Sequence, residues 1–279
     1  MPQKLTSILS IAGSDPCGCA GIQADIRAGV ACGLHVMTAI TAITAQNSYG
    51  VSYLWAVDHN MLSRQLEAII EDVTPDAIKI GMIGSIQNGE IISSFIKSFD
   101  HEIPIVIDPV MSASSGGDLS SVASKDQMIK FYQEILFPQA TVVTPNLTEA
   151  DLFLNYNNKE EKLSNHEKAS LLLRILNCNS LILKGGHSES EIITDLLADR
   201  FDNAITILES SHPKLDCKNL HGSGCCYSSI LASYLALGFP LHDAFIKTSK
   251  KISDIIAWSC DYSLGNSSYG PLNLNNYRL

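Results

Sequence analysis

The chain has 279 residues, 46% apolar and 17% charged, with 19 Lys and Arg against 29 Asp and Glu for a formal charge of −10. That much apolar side chain excludes a disordered protein, and 18 Gly, 10 Pro and 8 Cys exclude collagenous and disulfide-scaffold chains. The acidic balance argues against nucleic-acid binding, which needs a basic surface, yet it allows a small anionic substrate at a locally positive site.

The N-terminal MPQKLTSILSIAG has no long apolar core and no small-residue cleavage site, so no signal peptide is read and a cytoplasmic location is the default. ILSIAGSDP is a first apolar run, closed by a turn at Asp15, Pro16 and Gly18. The spacing of Ile22, Ile26 and Val30 then predicts a helix with one apolar face. Residues 28–57 carry no Asp, Glu, Lys or Arg, a length that invites a membrane reading. Gly33, His35, Gln46, Asn47 and Gly50 divide the stretch, and VMTAITAITA is β-branched, so a buried strand is predicted and no membrane span. AIKIGMIG, IPIVIDPV, ATVVTPN and LILKGG read as further solid apolar strands. Between them, Ile91, Ile92, Phe95, Ile96 and Phe99 keep helical spacing, as do Leu171, Leu172, Ile175 and Leu176. The polar tract 155–168 reads as a solvated loop and helix start, with Ser164 as N-cap. Solid strands alternating with helices predict a parallel sheet covered on both faces. No repeat or linker divides the chain, so residues 1–279 are read as a single α/β domain. No C-x-x-C pair and no His at finger spacing occur, so no structural zinc is expected.

The carboxyl ends of the strands collect Asp15, Gln46, Asn47, Asp108, Asn146 and Lys184 on the edge where open parallel sheets bind ligands. HGSGCCYSSILASYLALG places Gly222, Ser223 and Gly224 at a turn opening a helix, which suits a phosphate or reads as a plain packed turn. Cys225 opens that helix, where the dipole is expected to lower a thiol pKa; the alternative is a buried structural Cys. AGSDPCGCAGIQAD is a substrate loop or a connector. In TPNLTEADLF, Asn146 and Glu149 have capping-box spacing, or they organise a magnesium ion with its waters. Lys184 could reach phosphate oxygens as a point charge, or lie on the surface. Neither a Walker A sequence nor G-x-G-x-x-G occurs.

In order, AGSDP…GIQAD, TAITAQNS, KIGMIG, IDPVM, TPNLTEA, LKGGH and HGSGC resemble the hydroxymethylpyrimidine/phosphomethylpyrimidine kinases of thiamine biosynthesis, members of the ribokinase-like superfamily. The resemblance runs from Ile8 to Asn273. It implies a three-layer α/β/α sandwich with a mostly parallel central sheet, ATP and Mg2+ as co-reactants, a small pyrimidine substrate and a homodimer. By position it implies that Gln46 hydrogen-bonds the aminopyrimidine edge. It places Ala20, Met82 and Val110 around the ring, Gly13 at the pocket floor and Asp25 close to the substrate loop. Asn146 and Glu149 would hold the Mg2+–phosphate arrangement, with Glu149 on the metal through water, and Lys184 would steady the ATP phosphates. Gly222, Ser223 and Gly224 would form the anion hole. Cys225 stands where most superfamily sugar kinases have an Asp base.

The chain departs from the family's usual pattern at Cys17 and Cys19, where Ser and Gly are common, and at Ser223 and Cys226, where Thr is common. The alternatives are a pyridoxal kinase on the same scaffold, a non-catalytic ligand-binding member, and a thiol-redox role for Cys17-x-Cys19 or Cys225-Cys226.

Overall fold

The computed structural model describes residues 4–111, 124–157, 163–186, 190–201, 204–264 and 270–275. The chain runs β1 (Ser7–Ser14), α1 (Gly21–Ala31), β2 (His35–Asn47), β3 (Gly50–Ala56), α2 (His59–Ile70), β4 (Ala77–Ile80), α3 (Ile86–Lys97), β5 (Ile105–Ile107) and α4 (Lys125–Phe131). After a π turn and a 3-10 turn it continues with β6 (Val142–Val143), α5 (Leu147–Tyr156), α6 (Asn165–Ile175), β7 (Ser180–Leu183), β8 (Ile192–Phe201), β9 (Ala204–Pro213), α7 (Ser223–Ala236) and α8 (Leu241–Ser259).

The strands form one sheet in the order β3-β2-β1-β4-β5-β6-β7-β8-β9. From β2 to β7 every pairing is parallel, while β3, β8 and β9 join antiparallel at the two edges. Helices α2 to α6 cover one face around a core that includes Leu66, Ile92, Phe137, Phe153 and Leu172. Helices α1, α7 and α8 cover the other around Ala28, Ile230, Leu231 and Phe245. This is a three-layer α/β/α fold with a mostly parallel central sheet. Both faces are sealed, which is why β1, β4 and β7 are buried along nearly their whole length without alternation. No helix among the described residues is long and apolar enough to cross a membrane.

Two sequence expectations need correction. The apolar face of α1 is not Ile22–Ile26–Val30: Ile26 and Val30 are 37% and 60% exposed. The helix instead buries Ala24, Asp25, Ala28 and Gly29. Small residues face inward because the backbone approaches the sheet closely; a side chain at Gly29 would strike Val36. Strand β2 is buried only in part, because its outer half leaves the covered sheet to pair with β3. The antiparallel strands β3, β8 and β9 lack the solid apolar pattern that marks the sealed strands. Ser164 does cap α6, in a reciprocal box with Glu167; residues 158–162 of that polar tract lie outside the described set.

Candidate active site

Because β1, β2 and β4 to β7 run the same way, their carboxyl ends share one rim, and the head of α7 points at it. Gly222 caps α7 in the left-handed region, with φ +78°. Any side chain there would collide with the Cys19 carbonyl, so the α7 loop lies against the β1–α1 loop. A Cβ on Gly224 would sit 3.3 Å from Lys184 Nζ and 3.9 Å from Asp108 Oδ2. The Gly222–Gly224 loop therefore opens directly over a buried cation–carboxylate pair.

Lys184 Nζ donates to Asp108 Oδ1 at 2.7 Å, and both residues are buried. Ser228 Oγ reaches the other Asp108 oxygen at 3.3 Å from the second turn of α7. Burial works against the Lys184 ammonium, but Asp108 and Glu149 more than offset it and its pKa rises. Asn146 and Glu149 form the capping box of α5: the Asn146 side chain accepts from Glu149 N–H at 2.9 Å, and the Glu149 carboxylate accepts from Asn146 N–H at 2.8 Å. Desolvation pushes the Glu149 carboxyl up to about 7, with Lys184 opposing and Asp108 reinforcing the shift. The capping-box reading of that pair therefore holds, and the box anchors a buried carboxylate in the field of Lys184 and Asp108. Among the described residues no three His, Cys, Asp or Glu side chains cluster as a metal cage. Two hard oxygen donors, Asp108 and Glu149, suit a magnesium ion that completes its shell with water and phosphate.

The second half of the site lies on the β1, β2 and β4 ends. A side chain at Gly13 would collide with the Met82 methyl, so these two residues are in contact. Thr41 Oγ1 fixes the Met82 carbonyl at 2.5 Å. Asp15 gathers the loop: its carboxylate accepts the N–H groups of Cys17, Cys19 and Ala20. Ala20 is the N-cap residue of α1 and packs beside Gly222. Gln46 Nε2 lies 3.3 Å from His221 Nε2. Burial lowers the His221 pKa against the pull of Asp15, which favours the neutral ring, the form whose Nε2 accepts from Gln46. Val110 follows Asp108, with its N–H on the Asp108 carbonyl.

Two side chains are set by burial. Asp25, which the resemblance put close to the substrate loop, is not solvent-exposed. It is fully buried and bidentate to Lys79 at 3.0 and 2.9 Å, with Ser10 and Ser229 completing its hydrogen bonds. Nor is the Cys225 thiol acidic. Desolvation pushes it up to about 11, outweighing Lys79 and the Gly21 N–H, with Asp25 and Asp108 adding to the rise. Cys226 is packed in the core. Asp108, His221, Asp15 and Lys79 were not assigned site roles from sequence. Asp108 and Lys184 are 76 positions apart, so no local spacing announces the pair.

The phosphomethylpyrimidine kinase family matches residues 15–273. A hydroxymethylpyrimidine/phosphomethylpyrimidine kinase of Staphylococcus aureus is 35% identical over 267 residues, covering 95% of this chain and 92% of the relative. The solved pyridoxal kinase of Staphylococcus aureus in complex with AMP-PCP and pyridoxal superposes with a TM-score of 0.82 at 26% identity, over 99% of this chain and 95% of that one. The phosphomethylpyrimidine kinase of Clostridium difficile 630 gives 0.71 at 32% identity, over 89% and 98%. On the match of nearly its full length, the chain belongs to the phosphomethylpyrimidine kinase family.

Proposed function

We propose that this chain, as one kinase domain, transfers the γ-phosphoryl group of ATP to 4-amino-5-hydroxymethyl-2-methylpyrimidine, and then a second one to the monophosphate, for thiamine biosynthesis in the cytoplasm. The observation that carries the reading is the Gly222–Gly224 loop opening over Lys184 and Asp108. Phosphoryl transfer needs positioning and charge stabilisation more than covalent work. The α7 N-terminus supplies N–H groups and a positive dipole end, and Lys184 adds a point charge that an incoming phosphate can share with Asp108.

In this reading Gly222, Ser223 and Gly224 hold the moving phosphoryl group, and Lys184 and Asn146 steady the ATP phosphates. Asp108 and Glu149 would hold Mg2+, which supplies neutralisation of phosphate charge when bound. Gly13, Met82, Ala20 and Val110 line the ring, and Gln46, set by His221, reads its amino edge. Cys225, in its thiolate form, takes the hydroxymethyl proton in the first step. The second nucleophile is an anionic phosphate oxygen and needs little base. Asp25 acts through the buried Lys79 pair rather than on substrate. We infer a homodimer as well, through the exposed β2–β3 hairpin.

A coupled ADP-release assay tests the reading, with Mg-ATP and, in parallel, hydroxymethylpyrimidine, its monophosphate, pyridoxal and pyridoxine. Turnover of both pyrimidines is expected. A preference for pyridoxal would move the substrate to vitamin B6, as the pyridoxal kinase of similar fold would have it. No turnover by folded protein would overturn the kinase reading.

A further inference from the structure

Cys17 and Cys19 lie in the loop between β1 and α1, with their sulfurs 3.3 Å apart and the Cys19 thiol donating to Cys17. Cys19 is sealed in the protein, whereas Cys17 is partly exposed. The loop is already closed on itself. Asp15 accepts from the Cys17, Cys19 and Ala20 N–H groups at 2.9, 2.9 and 2.8 Å, and Gly18, with φ +73°, turns the chain between the two thiols. Sulfurs in a disulfide sit about 2.05 Å apart, so bond formation asks for an approach of only about 1.2 Å. The same loop supports the head of α7. The Cys19 carbonyl packs on Gly222, and the Gly21 N–H points at the Cys225 sulfur.

We propose that Cys17 and Cys19 form a reversible disulfide, a modification site that switches the kinase off by displacing the Cys19 carbonyl and Gly21 from the phosphate loop. The oxidant is a low-molecular-weight disulfide such as glutathione disulfide. The Cys17 thiolate attacks one of its sulfurs, forming a Cys17–glutathione bond and releasing one glutathione thiolate. Cys19 then attacks the Cys17 sulfur, its proton passing to the second departing glutathione thiolate. Two protein thiols and one glutathione disulfide become one protein disulfide and two glutathione molecules. Exposure makes Cys17 the entry point. Desolvation pushes the Cys19 thiol up to about 12, which keeps it from entering first and slows its attack on the mixed disulfide; the 3.3 Å approach to the Cys17 sulfur offsets that.

Trypsin cleaves after Lys4 and Arg27, giving a peptide 5–27 that holds these two cysteines and no other. The protein is equilibrated in buffers of rising glutathione disulfide, alkylated under denaturing conditions and digested, and ADP release is measured on matched samples. The expected result is a 5–27 peptide two hydrogens lighter that takes no alkylating reagent. ADP release should fall about tenfold or more with it and return on reduction. The Cys17→Ser and Cys19→Ala variants should keep their turnover in the same buffers. A 5–27 peptide that takes two alkyl groups at every ratio, or stops at a glutathione adduct, overturns the site. A disulfide with undiminished turnover, or equal loss in Cys17→Ser, overturns the switch. The activity arm rests on the kinase reading, but the peptide mass does not. A reduced protein inert toward pyrimidines would therefore fail that reading while the disulfide is still decided.

Discussion

Cys225 shows how a local rule loses to its surroundings. A thiol at a helix N-terminus is normally acidified, but here desolvation, with Asp25 and Asp108 nearby, leaves it near 11. Below that value the thiolate fraction rises tenfold per pH unit. If Cys225 takes the hydroxymethyl proton, single-turnover rates of the first phosphorylation should climb from pH 6 to 9 while those of the second stay nearly flat. Cys225→Ala should slow the first step about 100-fold and the second far less. Equal loss in both steps removes the base role. Glu149 offers a second test. Its carboxyl is raised from the ordinary 4.5 to about 7, so the folded protein holds that proton more tightly than the unfolded chain. The linked stability is present in full below pH 4.5 and is lost as pH rises toward 7. Glu149→Gln keeps an acceptor for the Asn146 N–H and carries no charge. Its melting temperature should gain on the parent between pH 5 and pH 8, while ADP release falls about 10- to 100-fold. No relative gain would mean that Glu149 is not strained by burial. At this scale the sequence exposed residues with a nearby signal, such as Asn146 and Glu149 three positions apart. It put Asp108 on the ligand rim but hid its pairing with Lys184, and it hid the pairing of His221 with Gln46, because these partners meet only through the fold.

At the scale of elements, the parallel strands were legible because sealed strands must be apolar on both faces. The edges were not. Strand β9 alternates intermediate and exposed positions and carries Glu209 and His212, so its pattern is too weak to separate from loop. Helix α1 misled for a different reason: packing at close range selects Ala and Gly, which carry less hydrophobic signal than the exposed Ile26 and Val30. The junction of the β1–α1 loop with α7 can be tested by two glycines of the same backbone class. Gly222→Ala places a methyl in a left-handed position and against the Cys19 carbonyl. Gly238→Ala meets the same strain, with φ +83°, but nothing lies within 4 Å of the added methyl. Each should lose about 1–2 kcal/mol of stability to the backbone conformation. Only Gly222→Ala should also lose turnover, about 100-fold, because the phosphate loop must move. Comparable activity in the two variants would show that the contact does not set the loop.

The whole molecule presents one edge that the covered sheet does not explain. Across the β2–β3 hairpin, Ile43 pairs with Trp55 and Ala45 with Tyr53. Ile43, Tyr53 and Trp55 are 46%, 68% and 62% exposed, with Met61 also exposed just beyond. An apolar face on a free edge strand invites pairing, and a second copy of the chain is the partner we infer. The same hairpin ends at Gln46, whose side chain meets His221 beside the phosphate loop. A partner that stiffens the hairpin would therefore stiffen the ring-reading side of the site and leave the Lys184 side alone. Trp55→Arg should convert the dimer to a monomer by light scattering with little change in melting temperature. It should raise KM for the pyrimidine several-fold and leave KM for ATP within about twofold. A parent protein that is monomeric, or a variant that stays dimeric, would assign the face no such role. A monomer with both constants unchanged would separate assembly from recognition and leave Gln46 to its own strand and His221.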